Sequence, residues 1–375
     1  MIKSNTQIDK SLATKKVVFY CREGYEADLA AELDTVSAKL ELFGYSQCKL
    51  GSTLVEFNCY EALSLHQQEN AFHIDELIFA RQRLLSVGSL IFDKPTDRVG
   101  SVIDFLKQDL NSSLLFGDVI AEHADNESGK QIAKFCKKFV VPLRQAMRKS
   151  KLLSAKPNHA LPYLHLYFSE SNESMVCVSL PNNRHAEPMG ITRLKMPADA
   201  PSRSTLKLEE AIKTFLLPNE QNTCFQKGMT AVDLGACPGG WTYQLVSRGL
   251  RVEAIDNGKM SETLMQTGLV EYHPADGFTY APQDGHVDWL VCDMIEKPER
   301  VAELIASWLV DRKCTSSIFN LKLPMKRRFH VVEKLLAEIS EKLEKHQINH
   351  KIAAKHLYHD RDEITVIIRS GMHLI

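Results

Sequence analysis

Apolar and polar positions alternate along the chain in two different rhythms, one for each half. Lys16–Cys21 (KVVFYC) reads as a strand, and Tyr25–Phe43 as an amphipathic helix with Leu29, Leu33, Val36, Leu40 and Phe43 on one face. Thr53–Cys59 (TLVEFNC) follows as a second strand, a β-α-β start compatible with a small ferredoxin-like unit. Ile78–Phe92 is expected to be extended, Val99–Leu110 helical and Leu115–His123 a strand. Lys130, Lys134, Lys137 and Lys138 then fall at helical spacing, with Ile132, Phe135 and Phe139 pointing elsewhere, and Arg144, Arg148 and Lys151 resume the pattern. Between the two runs stands Pro142, which lacks a backbone N–H and is expected to interrupt or kink the helix. Tyr163–Phe168 and Met175–Leu180 read as a hairpin closing this half.

Residues 181–203, with Pro181, Pro188, Pro197 and Pro201, read as a connection. Beyond them strands and helices alternate as in a doubly wound sheet. The strands are Met229–Leu234, Arg251–Asp256, Val287–Asp293 and Ser316–Leu323, with helices at Pro298–Arg312 and Arg327–His346. Ile348–Leu357 and Glu363–Arg369 are expected to close the chain as a β-hairpin. There is no internal repeat and no low-complexity tract.

Composition narrows the class. At 375 residues, 44% hydrophobic and 25% charged, the chain has the makeup of a globular protein of two or three domains. No apolar stretch approaches the ~20 residues that span a bilayer, and the polar start MIKSNTQIDKSLATKK lacks the apolar core of a secretory signal. The nine cysteines include no CxxC pair, which argues against a zinc ribbon or a thioredoxin-like site. They are expected to be buried free thiols in a reducing compartment, which places the chain in the cytoplasm. A net charge of −1 gives no global sign of a polyanion partner, yet Ser128–Ser169 holds nine Lys/Arg and no Asp/Glu. Polyanion binding needs a concentrated basic face, not total charge, so this segment is a candidate polyanion-binding surface.

The most informative run is Ala231–Tyr243 (AVDLGACPGGWTY): an apolar strand ending in Asp233, a Gly-rich turn, then a helix entered near Trp241. Gly235, Gly239 and Gly240 let backbone approach a ligand with no Cβ in the way. The next strand also ends in an acid, Asp256, placed to accept hydrogen bonds from the hydroxyls of an adenosine ribose. GxxxxGK[ST] is absent, which excludes a P-loop nucleotide site. A dinucleotide loop offers a helix N-terminus to a pyrophosphate, whereas here an acid precedes the first glycine and Pro238 occupies the turn. A cationic ligand without phosphate, S-adenosyl-L-methionine, suits that loop better.

On these residues the chain resembles the RrmJ/FtsJ-type ribose 2′-O-methyltransferases, whose first motif is commonly written DLGAxPGGW. That family uses a Lys-Asp-Lys-Glu tetrad, and the resemblance places its members at Lys207 (SRSTLKLEEA), Asp293 (VDWLVCD), Lys322 (IFNLKLP) and Glu363 (DRDEITVII). A closer resemblance, through SRSTLKLEEA, DLGACPGGWTYQL, MIEKP, FNLKLPMKRR and YHDRDEIT, is to the bacterial 23S ribosomal RNA large subunit methyltransferase M family, cytidine 2′-O-methyltransferases with an N-terminal THUMP-type RNA-binding region. It implies cofactor contacts from Ser204, Cys237, Pro238, Gly239, Gly240, Asp256, Asp276 and Asp293. The expected fold class is α/β: a ferredoxin-like unit over 1–62, a THUMP-type region over 63–181, a linker over 182–203 and a Rossmann-like methyltransferase sheet over 204–375.

A ribose hydroxyl attacks a sulfonium methyl well only if something takes its proton. The resemblance gives that task to Lys322 as general base, which requires the neutral amine although a free lysine ionises near 10.4. Lys207 would be a second cation beside it, and Asp293 and Glu363 would orient both lysines and the sugar. Methyl transfer builds no phosphoryl charge, so no metal is expected. His356 and His359 have the spacing of a metal pair but read as a solvated strand end. For RNA, the face of Lys130, Lys134, Lys137, Lys138, Arg144, Arg148 and Lys151 would contact 23S rRNA phosphates, and Lys326, Arg327 and Arg328 would place charge at the cleft. A monomer is expected. Three rivals stand beside this reading: an RNA base methyltransferase, a non-catalytic rRNA-binding assembly factor, and an NAD-dependent dehydrogenase. The first lacks support because Cys-Asp-Met-Ile-Glu-Lys-Pro replaces the Asn/Asp-Pro-Pro-Tyr/Phe of amino-group enzymes, and Leu-Lys-Leu-Pro the catalytic cysteine of carbon-5 enzymes.

Overall fold

A computed structural model describes residues 14–93, 96–108, 110 and 114–371, so most of the polar N-terminal run lies outside the described residues. The chain separates into two compact units, Met1–Ile191 and Thr192–Ile375.

The first unit runs β1 (Lys16–Tyr20), α1 (Glu26–Lys39), β2 (Gly44–Cys48), β3 (Leu54–Cys59), α2 (Leu65–Asn70), β4 (Gln82–Ile91), α3 (Arg98–Gln108), β5 (Asp118–Glu122), α4 (Glu127–Lys149), β6 (Tyr163–Glu170) and β7 (Glu173–Ser179). Its seven strands form one sheet in the order β2-β3-β1-β4-β7-β6-β5. Strand β4 pairs antiparallel with β1 on one side and β7 on the other, so the segments before and after residue 62 share a single sheet.

Two local expectations change. Helix α1 stops at Lys39, and Leu40 and Phe43 are exposed. Its buried face instead carries Glu26, Leu29, Glu32 and Leu33. The Glu26 carboxylate accepts the Thr53 N–H at 2.9 Å and Glu32 the Phe79 N–H at 2.9 Å. Buried loop donors need partners, and two acids on the inner face supply them where hydrophobicity alone predicts leucines. Helix α4 is continuous across Pro142. Cys136, Phe139, Leu143 and Met147 keep one face buried throughout, while Pro142 lies on the exposed face, where the carbonyl it leaves without a partner meets water.

At the centre of this unit, His165 Nδ1 lies 2.8 Å from Glu122 Oε2 and its Nε2 2.8 Å from Ser179 Oγ. The connectivity imitates a hydrolytic triad, but all three residues are buried, and Glu122 also receives the Tyr20 hydroxyl at 2.9 Å and the Met189 N–H. Burial pushes the Glu122 carboxyl up, and the groups around it, His165 first, bring it below its usual value overall. This is a structural hub that ties β1, β5, β6 and β7 together.

The second unit runs α5 (Thr205–Phe215), α6 (Pro218–Cys224), β8 (Thr230–Leu234), α7 (Gly240–Ser247), β9 (Arg251–Ile255), α8 (Glu262–Met265), β10 (Val270–His273), β11 (Val287–Cys292), α9 (Pro298–Val310), β12 (Cys314–Lys322), α10 (Arg328–Lys345), β13 (His350–Lys355) and β14 (Glu363–Ser370). Its sheet order is β10-β9-β8-β11-β12-β14-β13. Strands β10 through β12 are parallel, and β14 enters antiparallel to both β12 and β13. The chain builds outward from β8 to β10, then returns to the other side of β8 as β11. That reversal of strand order is where an open α/β sheet leaves a crevice at the carboxyl ends of its strands. The core beneath it includes Phe225 stacked on Trp289 at 4.4 Å, with Trp241, Leu245 and Ile318.

Removing the hub carboxylate strands the His165 and Tyr20 donors in a water-free interior. Glu122→Ala is therefore expected to lower the unfolding free energy by about 3 kcal/mol, on the scale of hydrogen bonds to charged groups, measured by urea titration of the whole chain. Because the folded Glu122 ionises below its unfolded value, its contribution is full at neutral pH and fades as pH falls through the acid range.

Candidate active site

The crevice is built from strand ends. Asp233 is the penultimate residue of β8 and Asp293 directly follows β11. Asp233 is buried; its Oδ2 accepts the Thr242 hydroxyl at 2.6 Å, and its Oδ1 has no hydrogen-bond partner among the described residues. Burial pushes this carboxyl up to about 7, with Asp293 and Asp256 adding to the rise and the Thr242 bonds opposing it. A buried carboxylate oxygen without a donor is costly, and a bound donor, an ammonium among them, would remove the cost.

The turn after β8 is shaped for close approach. Gly239 has φ of 115°, the left-handed region, and a Cβ there would meet Leu264 at 2.3 Å. A Cβ on Gly240 would stand 2.0 Å from Ser204 Oγ, so only glycine lets α5 and α7 meet. Ser204 Oγ lies 2.7 Å from Ser202 Oγ at the same contact. The Cys237–Pro238 peptide is cis. The Asp256 carboxylate accepts the Cys237 N–H at 3.0 Å and the Gly258 N–H at 2.8 Å, which locks the turn to the end of β9. Asp276 is exposed beyond β10, and its Oδ1 accepts the Phe278 N–H at 2.9 Å. Thus Cys237 joins Asp256 and Ser204 joins Gly240, while Asp276 stands on its own loop.

Lys207, Asp293, Lys322 and Glu363, far apart in sequence, meet. Lys207 Nζ donates to Asp293 Oδ1 at 3.1 Å and Oδ2 at 3.0 Å, and lies 2.6 Å from Glu363 Oε1. Lys322 Nζ donates to Glu363 Oε2. Glu363 is therefore a bridge between the two lysines, placed by the β12–β14 register, in which Lys322 faces Glu363 and Asn320 faces Thr365. Burial favours the neutral form of Lys207, but Asp293 and Glu363 outweigh it and hold the ammonium above its usual value. Burial raises Glu363, and Lys207 and Lys322 together bring it below the usual carboxylate value. The Lys207 charge is thus committed to two carboxylates, while Lys322 leans on one and is the more exposed, 29% against 16%.

Sequence reasoning missed the support beneath this group. Asn320 is fully buried, donates from Nδ2 to Asp293 Oδ1 at 2.8 Å, and accepts the Thr365 hydroxyl at 2.8 Å. The signal was present, because an asparagine two residues before Lys322 in an apolar strand shares its face and needs a partner. Asp360 is buried nearby, and burial followed by Glu363 pushes its carboxyl well up. His356 and His359 do not form a solvated strand end: His356 is buried and His359 Nδ1 lies 2.6 Å from Glu210 Oε2. Glu210 also accepts the Tyr358 and His359 N–H groups, so this histidine pair braces the turn before β14. Among the described residues no group of three or more His, Cys, Asp or Glu side chains is placed to hold a metal ion, and no helix is long and apolar enough to cross a membrane.

In the basic segment, Lys134, Lys137 and Lys138 are exposed. Arg144 is not free: its guanidinium grips the Asp118 carboxylate at 2.9 and 3.0 Å and the Val119 carbonyl at 3.1 Å. Lys130 pairs with Glu127, Arg148 donates to the Ser154 carbonyl at 3.3 Å, and Lys151 lies beyond the end of α4. The cysteines are buried in six of nine cases; Cys48 is exposed, and Cys224 and Cys237 are partly so.

Sheet, glycine turn and acid-ended strands define an FtsJ-like methyltransferase, and residues 200–351 match that family. Residues 14–84 match the RlmM ferredoxin-like domain, and 97–180 match ribosomal RNA large subunit methyltransferase M, N-terminal. Ribosomal RNA large subunit methyltransferase M of Alteromonas mediterranea is 48% identical over 358 residues, 95% of this chain and 98% of the relative. The proteins of that name from Yersinia enterocolitica and Pseudoalteromonas atlantica are 48% and 45% identical, covering 94% of this chain and 95% and 98% of their own. The chain belongs to the ribosomal RNA large subunit methyltransferase M family; it is an rRNA methyltransferase and its cofactor is S-adenosyl-L-methionine. The unpartnered Asp233 oxygen and the Cβ-free turn fit that cofactor.

An aspartate in an unfolded chain ionises near 3.9, and folded Asp233 near 7. Between those values the folded state holds a proton that the unfolded state has lost, so stability falls as pH rises from about 4 to about 7 and is flat beyond. Asp233→Asn removes that slope. Urea titrations of the cofactor-free variant are expected to exceed wild type at pH 8 by on the order of a few kcal/mol and to converge near pH 4. Calorimetry should find S-adenosyl-L-methionine bound more weakly.

Proposed function

We propose that the chain methylates the 2′-hydroxyl of a cytidine in 23S rRNA, with Lys322 as general base in a tetrad completed by Lys207, Asp293 and Glu363. The observation that carries the reading is the bridge from Lys207 through Glu363 to Lys322, with Asp293 on the Lys207 side, at the edge of the glycine turn. Ribose specificity and the cytidine rest on the family resemblance of the motifs around Lys207, Asp293, Lys322 and Glu363.

The cofactor supplies an electrophilic methyl group on a positively charged sulfur. Ser204, Cys237, Pro238, Gly239, Gly240, Asp256, Asp276 and Asp293 would hold it, with Asp233 Oδ1 as the further acceptor for its ammonium. Lys322 Nζ would take the proton from the ribose 2′-oxygen, leaving it able to accept the methyl group. Lys322 suits the role better than Lys207 because it is the more accessible lysine and answers to one carboxylate. Lys207 remains an ammonium, keeps Glu363 ionised, and fixes Asp293 and Glu363 where they orient Lys322 and the sugar. Asn320 donates to Asp293 from below and is itself held by the Thr365 hydroxyl. Positioning of this kind supplies a large part of an enzyme's rate.

In the first unit, the THUMP-type RNA-binding role falls to the exposed lysines of α4 (Lys134, Lys137 and Lys138), with Lys130, Arg148 and Lys151 around them and Arg144 serving structure instead. The chain acts as a monomer in the cytoplasm.

Lys322→Ala is expected to reduce methyl transfer to unmethylated 23S rRNA by at least 10²-fold, the usual worth of a general base, while calorimetry finds S-adenosyl-L-methionine affinity unchanged. The wild-type product should resist alkaline cleavage at the modified linkage; a methylated base instead would overturn the ribose assignment. Replacing Lys134, Lys137 and Lys138 by glutamate should weaken RNA binding and flatten its logarithmic salt dependence by about 0.7–0.9 per lost phosphate contact. Arg144→Ala should lower thermal stability and leave the salt dependence unchanged.

A further inference from the structure

Ile295 and Met325 are the two most exposed large hydrophobic side chains among the described residues, at 91% and 92%. Both stand beside the proposed chemistry. Ile295 lies two residues past Asp293 on the loop leaving β11, and Met325 lies three past Lys322 on the loop leaving β12. These strands are parallel neighbours, so their loops leave the sheet side by side at its carboxyl edge.

Neither exposure reflects a disordered run of chain. Met294, immediately before Ile295, is tucked under the glycine turn: a Cβ on Gly235 would stand 2.8 Å from its Cγ, and one on Gly277 3.0 Å from its Sδ. The inward Met294 fixes the backbone and leaves its neighbour facing out. The Leu323 N–H donates to the Asp362 carbonyl at 2.8 Å, so the start of the Met325 loop is likewise tied to the turn before β14. Beyond Met325, Lys326 and Arg327 are exposed and form no ion pair among the described residues. Two held apolar side chains are thus presented to water next to a strip of uncommitted cations.

Burial of either side chain is favourable, so an apolar partner seated on both would be held by them. The occupant follows from the substrate. A base is joined to the sugar carbon next to the one that bears the 2′-hydroxyl. Bringing that hydroxyl to Lys322 therefore delivers the base to the rim of the same cleft. Inside a helix the hydroxyl is hemmed in, so the target nucleotide must be splayed out, and its bared faces then need apolar cover. Ile and Met are among the side chains that proteins press against unstacked bases. We infer that Ile295 and Met325 form an apolar clamp that receives the target nucleobase of the RNA, with Lys326 and Arg327 taking the adjoining phosphates. The clamp rests on the ribose reading above and adds two residues that position the substrate.

The test is steady-state methyl transfer to unmethylated 23S rRNA transcript by wild type, the double variant Ile295→Ala/Met325→Ala, the conservative pair Ile295→Val/Met325→Leu, and Met325→Gln. The double variant should raise KM for RNA on the order of ten-fold, the scale of one lost base-stacking contact, with S-adenosyl-L-methionine affinity and Tm as in wild type. The conservative pair should restore wild-type KM and Met325→Gln should not, since shape without apolarity cannot cover a base. Filter binding should find the salt slope unchanged in the double variant and reduced in Lys326→Glu. Wild-type kinetics in the double variant, or full activity in Met325→Gln, would overturn the clamp. Product mapping keeps the two claims apart: a base-methylated product would defeat the ribose assignment, while the KM comparison still decides whether a nucleobase docks on these residues.

Discussion

Glu363 is the point on which the second unit's chemistry turns. It is almost wholly buried, yet both its oxygens are engaged by lysines from elements distant in sequence. A lone carboxylate in that position would be expelled from the interior or protonated; the two lysines, Lys207 first, outweigh burial and bring it below its usual value. In return it gives each lysine a fixed address, and its removal would leave Lys322 with no ion-pair partner and Lys207 with Asp293 alone. Asn320 adds a second donor to Asp293 Oδ1 beside Lys207, and Thr365 in turn donates to Asn320.

What makes that bridge possible is the antiparallel entry of β14. If the last hairpin had simply been added at the sheet edge, Glu363 would not lie beside β12. Insertion between β12 and β13 sets Lys322 opposite Glu363 and Asn320 opposite Thr365, and the two-residue period of a strand puts both pairs on one face. The turn that introduces β14 is held by Glu210, which takes the Tyr358 and His359 backbone donors from α5, the helix that also carries Lys207. One short helix therefore positions a charged group in the site and anchors the strand that completes it.

The two units use buried acids in contrasting ways. In the first, Glu122, Glu26 and Glu32 are satisfied by internal donors and serve only the fold. In the second, Asp233 keeps one buried oxygen without a donor, an incomplete arrangement of the kind that marks a binding site in place of a structural hub. The Ser179–His165–Glu122 chain makes the same point from the other side: it has the connectivity of a catalytic device and no access to a substrate.

The residues themselves determined the alternation of strand and helix after residue 203, the acid-ended strands and the glycine turn, because these are local rules: hydrophobic period, Cβ size and chain direction. They also carried Lys207, Asp293, Lys322 and Glu363, though only as an ordered set recognised through resemblance. Tertiary structure alone decided what those residues touch. Asn320 looked like one polar residue in an apolar strand until β14 was set beside it; Arg144 looked like free charge until Asp118 met it across α4 and β5. His359 looked solvated until Glu210 of α5 met it, and Pro142 looked like a break until the packing of Phe139, Leu143 and Met147 outweighed one missing hydrogen bond. In each case the deciding partner lies many residues away, and pattern along a chain cannot encode a contact whose distance is set by how the sheet is ordered.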